Sequence, residues 1–374
     1  MALRLMEGSE AIAEAAVMAG CRFYSAYPMS PSTELLEHMA RKLPAAGGVC
    51  INAETEIGGV NMALGAAVTG FRAASGSCGQ GLSLMQEAVG EAAMNETPLV
   101  LFNMARSQQD YFQATRGTGW GGGRPISVAP KDVPEAVELT QLLFHLTDKY
   151  RCPGILVGDN LLARTQVSVD VQPLDLPALP PKDWAIDGSM NGTGKARVLF
   201  TMGYGKHNQP GPGPTGHNTN IADKFDFIKR TEMRWEEEFI DDAEVVVTAF
   251  GTGGKFVEHV VREMRAEGHK IGYFRPITLW PYPGEALAKA TRRAKQVLVF
   301  ELNAGQMIED VLLNIEDRSK VRAIGGISFD ESGLNLGPLM DAPVIRARIE
   351  QAIQNPTHAK SKPNQAPAKA GASL

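Results

Sequence analysis

Cysteine is scarce in this 374-residue chain: Cys21, Cys50, Cys78 and Cys152 are widely separated. No C-x-x-C pair occurs, so the chain carries neither an iron–sulfur nor a structural zinc motif. The plain reading of the four is core thiols in a reducing compartment. Basic charge is not in excess either. Lys and Arg number 37 against 42 Asp and Glu, for a net charge of −5, and no Lys/Arg cluster is dense enough to track nucleic-acid phosphates. Long apolar runs are also missing. None reaches the ~18 residues of a membrane span. The opening "MALRLMEGSEAIAEAAVMAG" sets acids inside an amphipathic pattern, where a signal peptide would be unbroken. These absences point to a cytoplasmic protein whose partners are neither nucleic acid nor membrane. His207 and His217 have no second His or Cys at ligand spacing, so no metal site is expected on this chain.

What is present is an α/β alternation, in a chain long enough for two cores. Helix patterns at 9–19, 34–42, 57–68, 81–94 and 134–150 alternate with apolar stretches at 22–26, 48–53 and 72–74, then "PLVLFNM" and "GILVG". This predicts a sheet covered on both faces over residues 1–165. Residues 166–241 include "VQPLDLPALPPKDW" and "GKHNQPGPGPTGHNTN", a Pro/Gly-rich linker and excursion, with one charged helix expected at 222–239. A second α/β domain is expected over 242–350. It opens as strand, Gly-rich turn, amphipathic helix and strand, with Val257, Val260, Val261 and Met264 as the buried stripe. Residues 351–374 lack apolar periodicity and read as a disordered tail.

Several stretches carry chemistry. In "CRFYSAYPMSPSTELLEHMA", Cys21–Ala40, Pro28 and Pro31 stiffen the turn after an apolar strand. Ser32 or Thr33 can cap the following helix, and Ser30 is presented at the strand's carboxyl end, where open α/β sheets bind ligands. Glu56 enters a helix containing Gly58, Gly59 and Gly65. Each interior glycine costs about 1 kcal/mol relative to Ala, a cost that makes sense if something approaches the helix closely. By itself Glu56 also fits as an acid favoured by the helix dipole. Arg106 leaves a buried strand on the same rim as Ser30; it suits a carboxylate, or is simply a surface arginine. "GTGWGG" matches a dinucleotide-binding string but has neither a strand before it nor a helix after it. "FGTGGK" at 250–255 has better context and reads as a tight strand-to-helix turn with occasional capacity for an anion.

Taken in order, "GSEAIAEAAVMAGCRFYSAYPMSPSTE", "AETEIGGVNMALGAA", "GLSLMQEAVGEAA", "PLVLFNMAR", "DYFQATRGTGWG" and "LTDKYRCPGILVGDN" resemble the alpha subunit of 2-oxoacid:ferredoxin (acceptor) oxidoreductases. The 2-oxoisovalerate-type branch is the nearest, and "GYFRPITLWPYP" and "GQMIEDV" extend the likeness. The resemblance implies a pyrimidine-binding domain of the thiamine diphosphate fold, followed by a transketolase C-terminal-like domain. It implies a beta subunit that holds the diphosphate and Mg²⁺, since no G-D-G occurs here, and gamma and ferredoxin-like delta subunits that carry the iron–sulfur clusters. Coenzyme A would accept the acyl group. Glu56 matches the glutamate on the aminopyrimidine, where a buried carboxyl of raised pKa helps the cofactor lose its thiazolium C2 proton. Ser30 and Arg106 match substrate-carboxylate contacts, and Tyr27 and Pro28 belong to the cofactor-side turn.

The sequence departs from the family pattern at Ser30, usually Thr, and after Arg106, where only "SQQ" replaces a longer glycine-rich loop. "GGISFDESGLNLGPLMD" also replaces the usual end of the second domain. The shortened loop, with Tyr111, Phe112 and Trp120 nearby, suggests a branched-chain or an aryl 2-oxoacid such as phenylglyoxylate. The alternative reading is a non-catalytic structural or regulatory paralogue in such a complex. A free-standing nucleotide-binding protein is a third.

Overall fold

The computed structural model describes residues 3–118, 121–186 and 211–355, which fall into two units. The first draws on the chain up to Arg106, on Asp110–Arg234 and on Ile277–Tyr282; the second draws on Ser107–Gln109, Trp235–Pro276 and the chain from Pro283.

The first unit begins with β1 (Arg4–Glu7) and α1 (Gly8–Met18), then alternates β2 (Cys21–Ala26), α2 (Thr33–Ala45), β3 (Val49–Asn52), α3 (Glu56–Val68), β4 (Arg72–Ser77), α4 (Gln80–Met94) and β5 (Leu99–Ala105). It continues through α5 (Tyr111–Thr115), β6 (Ile126–Val128), α6 (Val133–Tyr150), β7 (Pro153–Asp159), α7 (Asn160–Arg164), β8 (Gln166–Val169) and α8 (Gly213–Thr231). The second unit holds β9 (Trp235–Glu238), β10 (Val245–Ala249), α9 (Gly251–Ala266) and β11 (Ile271–Pro276). After β12 (Thr278–Trp280), a strand of the first unit, come α10 (Gly284–Ala290), β13 (Gln296–Phe300), α11 (Met307–Asn314), β14 (Val321–Ala323) and α12 (Ala342–Gln354).

The main sheet of the first unit has seven strands in the order β12-β6-β7-β5-β4-β2-β3, parallel except at β12. Its inner strands β5 and β7 are buried at every residue, as expected of strands covered on both faces. Helices α1, α2 and α6 pack together over one face; small residues of α1 such as Ala11, Ala15 and Ala16 are fully buried there. From β2 the chain moves outward to β3, whereas from β4 it moves inward to β5. Loops leaving the neighbouring strands β2 and β4 therefore diverge, which makes their carboxyl ends the switch point at which open α/β sheets bind ligands.

The second unit is a five-stranded sheet, β14-β13-β10-β11-β9, parallel apart from the edge strand β9. The expected stripe Val257, Val260, Val261 and Met264 is fully buried, with Ile345 and Ile349 of α12 in the same core. Among the described residues, no helix is long and apolar enough to cross a membrane.

Three features differ from the sequence expectations. The charged helix ends at Thr231, and Trp235–Glu238 pairs antiparallel with β11 instead. Glutamate favours helix locally, yet sheet pairing decides where one face of the segment packs. Thr278–Trp280, expected within the second domain, completes the first sheet beside β6. Residues 351–354, expected in the tail, are helical because α12 is held by Ile345 and Ile349; residues 356–374 lie outside the described residues.

Candidate active site

The turn after β2 exposes Tyr27 and Pro28, half-buries Met29 and Ser30, and buries Pro31 and Ser32. Ser32 precedes α2, but its backbone is helical (φ −81°, ψ −8°) and its side chain makes no capping bond. Capping needs an extended backbone at that position. Thr33 is already the first helical residue, so neither expected cap operates.

Helix α3 starts differently. Thr55 is extended (φ −149°, ψ 159°) and its Oγ1 accepts the Gly58 N–H at 3.0 Å. This cap places Glu56 in the first helical turn with only 6% exposure. Ser77 Oγ, at the end of β4, lies 3.5 Å from Glu56 Oε1 as its hydrogen-bond donor. Gly81 of α4 packs so tightly here that a Cβ would stand 2.5 Å from Glu56 Oε1. The glycines of α3 divide by role. At Gly59 the close approach is made by β2, where a Cβ would meet Ala26 Cα and the Ser25 carbonyl at 3.2 Å; at Gly65 it would meet nothing within 4 Å.

The exits of β2, β4 and β5 meet at the Ser30 main chain. Arg106 Nε donates to the Ser30 carbonyl at 3.3 Å, and the Cys78 thiol reaches the same oxygen at 3.5 Å. Burial pushes the Cys78 thiol up to about 12; Asp110 adds to the rise, Arg106 opposes it and Glu56 adds to it. The Cys78 thiol thus lies among the charges of Glu56, Asp110 and Arg106. The Arg106 Nη2 lies 3.6 Å from Met29 Sδ.

Sequence reasoning missed the support of this turn. Asp110 Oδ2 accepts the Gly79 N–H and the Asn103 Nδ2–H, each at 2.8 Å, and Gln113 Nε2 donates to the Gly79 carbonyl at 3.2 Å. Gly79 has φ +53°, a conformation that favours glycine. The available signal was Asn103, a polar residue within the otherwise apolar "PLVLFNM".

The remaining motifs fall elsewhere. "GTGWGG" follows α5 and precedes β6, the reverse of a dinucleotide-binding order, and Trp120 lies outside the described residues. "FGTGGK" is the tight turn from β10 into α9. A His217 ring nitrogen lies 2.8 Å from the Met94 carbonyl, while His207 lies outside the described residues.

A carboxyl group withdrawn from water, beside a hydroxyl and at a sheet switch point, suits a nitrogen heterocycle such as an aminopyrimidine: it accepts from an amino group, or shares a proton with a ring nitrogen. Residues 14–185 match the thiamine diphosphate-binding domain of pyruvate flavodoxin/ferredoxin oxidoreductases, and residues 243–332 match core domain II of pyruvate:ferredoxin oxidoreductase. Subunit VorB of ketoisovalerate oxidoreductase from Methanothermobacter marburgensis is 31% identical over 338 residues, covering 87% of this chain and 94% of its own. Subunit KorA of 2-oxoglutarate synthase from Methanocaldococcus jannaschii is 33% identical over 356 residues, covering 87% and 96%. Among solved structures, the 2-oxoglutarate:ferredoxin oxidoreductase of Magnetococcus marinus, with 2-oxoglutarate, coenzyme A and succinyl-CoA bound, superposes with a TM-score of 0.80 at 25% identity. That match covers 94% of this chain and 65% of the other. A split-gene transketolase, an inactive tetramer, shares the fold at a TM-score of 0.57 and 13% identity, over 93% and 98%. With relatives 31% and 33% identical along 87% of its length, this chain belongs to the 2-oxoacid:ferredoxin oxidoreductases, as an alpha subunit of such an enzyme.

Proposed function

We propose that this chain supplies the pyrimidine-activating and substrate-binding half of a thiamine diphosphate site, and that a beta subunit holds the diphosphate and Mg²⁺. The observation that carries the reading is Glu56: 6% exposed at a helix start, at the switch point where β2 and β4 diverge. When bound, thiamine diphosphate supplies the nucleophile for the 2-oxo carbon and the electron sink left as CO₂ departs. Glu56 holds a proton at the pyrimidine ring nitrogen, with the Ser77 hydroxyl orienting Oε1. Tyr27 and Pro28 flank the cofactor from the β2 side. Arg106 receives the substrate carboxylate, a role that suits a planar guanidinium whose N–H groups can pair with both carboxylate oxygens. The Ser30 hydroxyl adds a second contact to the same carboxylate. The acyl group goes to coenzyme A and the electron pair to iron–sulfur clusters in gamma and ferredoxin-like delta partners.

For the substrate, the thioether of Met29 beside Arg106 supports a 2-oxoacid with a hydrocarbon side chain, and we put a branched-chain acid first. Two of the three rings that suggested an aryl acid lend little support. Tyr111 is fully buried, and Phe112 is half-buried with the Arg116 guanidinium 5.0 Å from its ring centre.

The test is Glu56→Gln in the enzyme assembled with its partners. Turnover should fall about 10²- to 10⁴-fold, the contribution of a positioned acid–base group, with assembly retained. Turnover equal to the parent would overturn the catalytic reading and leave the non-catalytic paralogue. Turnover measured across branched, dicarboxylic and aryl 2-oxoacids decides the substrate.

A further inference from the structure

Three residues, Ser107–Gln109, separate Arg106 from Asp110, and they belong to the second unit. Gln108 is 4% exposed there. Its Nε2 donates to the Phe250 carbonyl at 2.9 Å, and its Oε1 accepts the Leu302 N–H at 2.9 Å. Phe250 and Leu302 lie just beyond Ala249 and Phe300, the last paired residues of the neighbouring strands β10 and β13. One planar carboxamide thus donates to one strand end and accepts from the other, where the sheet's own ladder runs out. A carboxylate cannot do both, because it only accepts.

The rest of the segment is pinned as well. Asn303 Nδ2 donates to the Gln108 carbonyl at 2.9 Å, Gln306 Nε2 donates to the Gln109 carbonyl at 2.8 Å, and Ser107 Oγ donates to the Leu302 carbonyl at 2.5 Å. One glycine of "FGTGGK" finds a use here. A Cβ at Gly253 would lie 3.2 Å from Gln108 Nε2, so the residue's bareness makes room for the amide.

We propose that Gln108 is a positioning residue for the 2-oxoacid. Seating its amide between β10 and β13 fixes the short main chain between Arg106 and Asp110. That aims the guanidinium at the substrate carboxylate and holds Asp110 on the Gly79 turn beside Glu56. The inference rests on the reading of Arg106 as the carboxylate binder, and the variants below separate the two.

The experiment compares Gln108→Glu, Gly253→Ala and Arg106→Gln with the parent in the enzyme assembled with its partners. KM for the 2-oxoacid, KM for coenzyme A and kcat are measured for each. Gln108→Glu keeps size and the acceptor for Leu302 but sets an oxygen against the Phe250 carbonyl. It should raise KM for the 2-oxoacid about 10- to 100-fold, the scale of an ångström's misplacement, and leave KM for coenzyme A unchanged. Gly253→Ala should give a smaller rise of the same kind, and it decides the matter if Gln108→Glu does not assemble. Parent-like KM for the 2-oxoacid in both variants, or an equal rise for coenzyme A, would overturn the proposal. If Arg106→Gln raises KM while those two do not, only the role of Gln108 fails. If Arg106→Gln keeps the parent KM, the substrate-binding reading fails first and takes this inference with it.

Discussion

One methyl group added at Gly81 should uncouple the stability of the first unit from the activity of its site. Gly81 lies in the first turn of α4, where alanine is the better helix former by about 1 kcal/mol. The added Cβ would fall onto Ser77 Oγ and stand 2.5 Å from Glu56 Oε1 and 2.9 Å from Glu56 Cγ. Both obstacles are side chains, so the response is for Ser77 and Glu56 to move rather than for the helix to unwind. Overpacking of this kind costs about 1–3 kcal/mol, and the propensity gain offsets part of it. The net loss is then roughly 0–2 kcal/mol, which corresponds to a fall in melting temperature of no more than about 8 °C. Activity should respond far more. Glu56 cannot stay in place, and an ångström's displacement of an acid–base group costs about 10²-fold. The assay is acceptor reduction by the assembled enzyme at saturating 2-oxoacid and coenzyme A, with a thermal melt of the same preparation. Changing Ser77→Ala as well removes one obstacle and leaves the contact with Glu56, so it should not restore turnover. Full turnover in Gly81→Ala would refute the reasoning, since crowding the carboxylate would then cost nothing.

Two further predictions follow from burial elsewhere. Cys21, Cys78 and Cys152 are pushed up to about 12 and Cys50 to about 11, in each case chiefly by burial. The folded protein therefore keeps thiol protons that the unfolded chain releases near its value of 9.0. Their contribution to stability is complete below that pH and is lost as pH rises towards about 12, by up to about 1.4 kcal/mol per pH unit for each thiol. Urea titrations should show stability falling between about pH 9 and 10.5, and a flat profile would contradict the burial of these groups. Separately, Gln141 straps the segment that follows β8: its Nε2 donates to the Gln172 carbonyl at 2.8 Å and its Oε1 accepts the Leu174 N–H at 3.0 Å. Gln141→Leu keeps the volume and removes both bonds, a local loss of about 1–3 kcal/mol. Limited proteolysis within 172–182 should speed up accordingly, and an unchanged cleavage rate would show that the strap is held by something else.

The sequence by itself determined what depends on neighbours a few residues away. Apolar stretches separated by 3.6-residue stripes placed β2, α2, β3, α3, β4, α4, β5, α6 and β7 close to where they lie, and the α9 stripe from Val257 to Met264 is buried as its spacing requires. The two prolines around Ser30 marked a rigid turn at the carboxyl end of a strand, because proline's limits on φ are local. Short strands gave no such signal. Three residues at 278–280 carry too little pattern to say which sheet they join, and the "WEEE" of β9 is as good a helix as a strand until β11 lies beside it. The site divides the same way. An acid in a first helical turn is compatible with water or with burial, and tertiary packing, with Gly81 and Ser77 against it, put Glu56 out of solvent. Asp110 on the Gly79 turn and the Gln108 amide across two strand ends were decided by tertiary structure alone. Each joins polar groups far apart in the chain, and a side-chain hydrogen bond of that range leaves no periodicity to read.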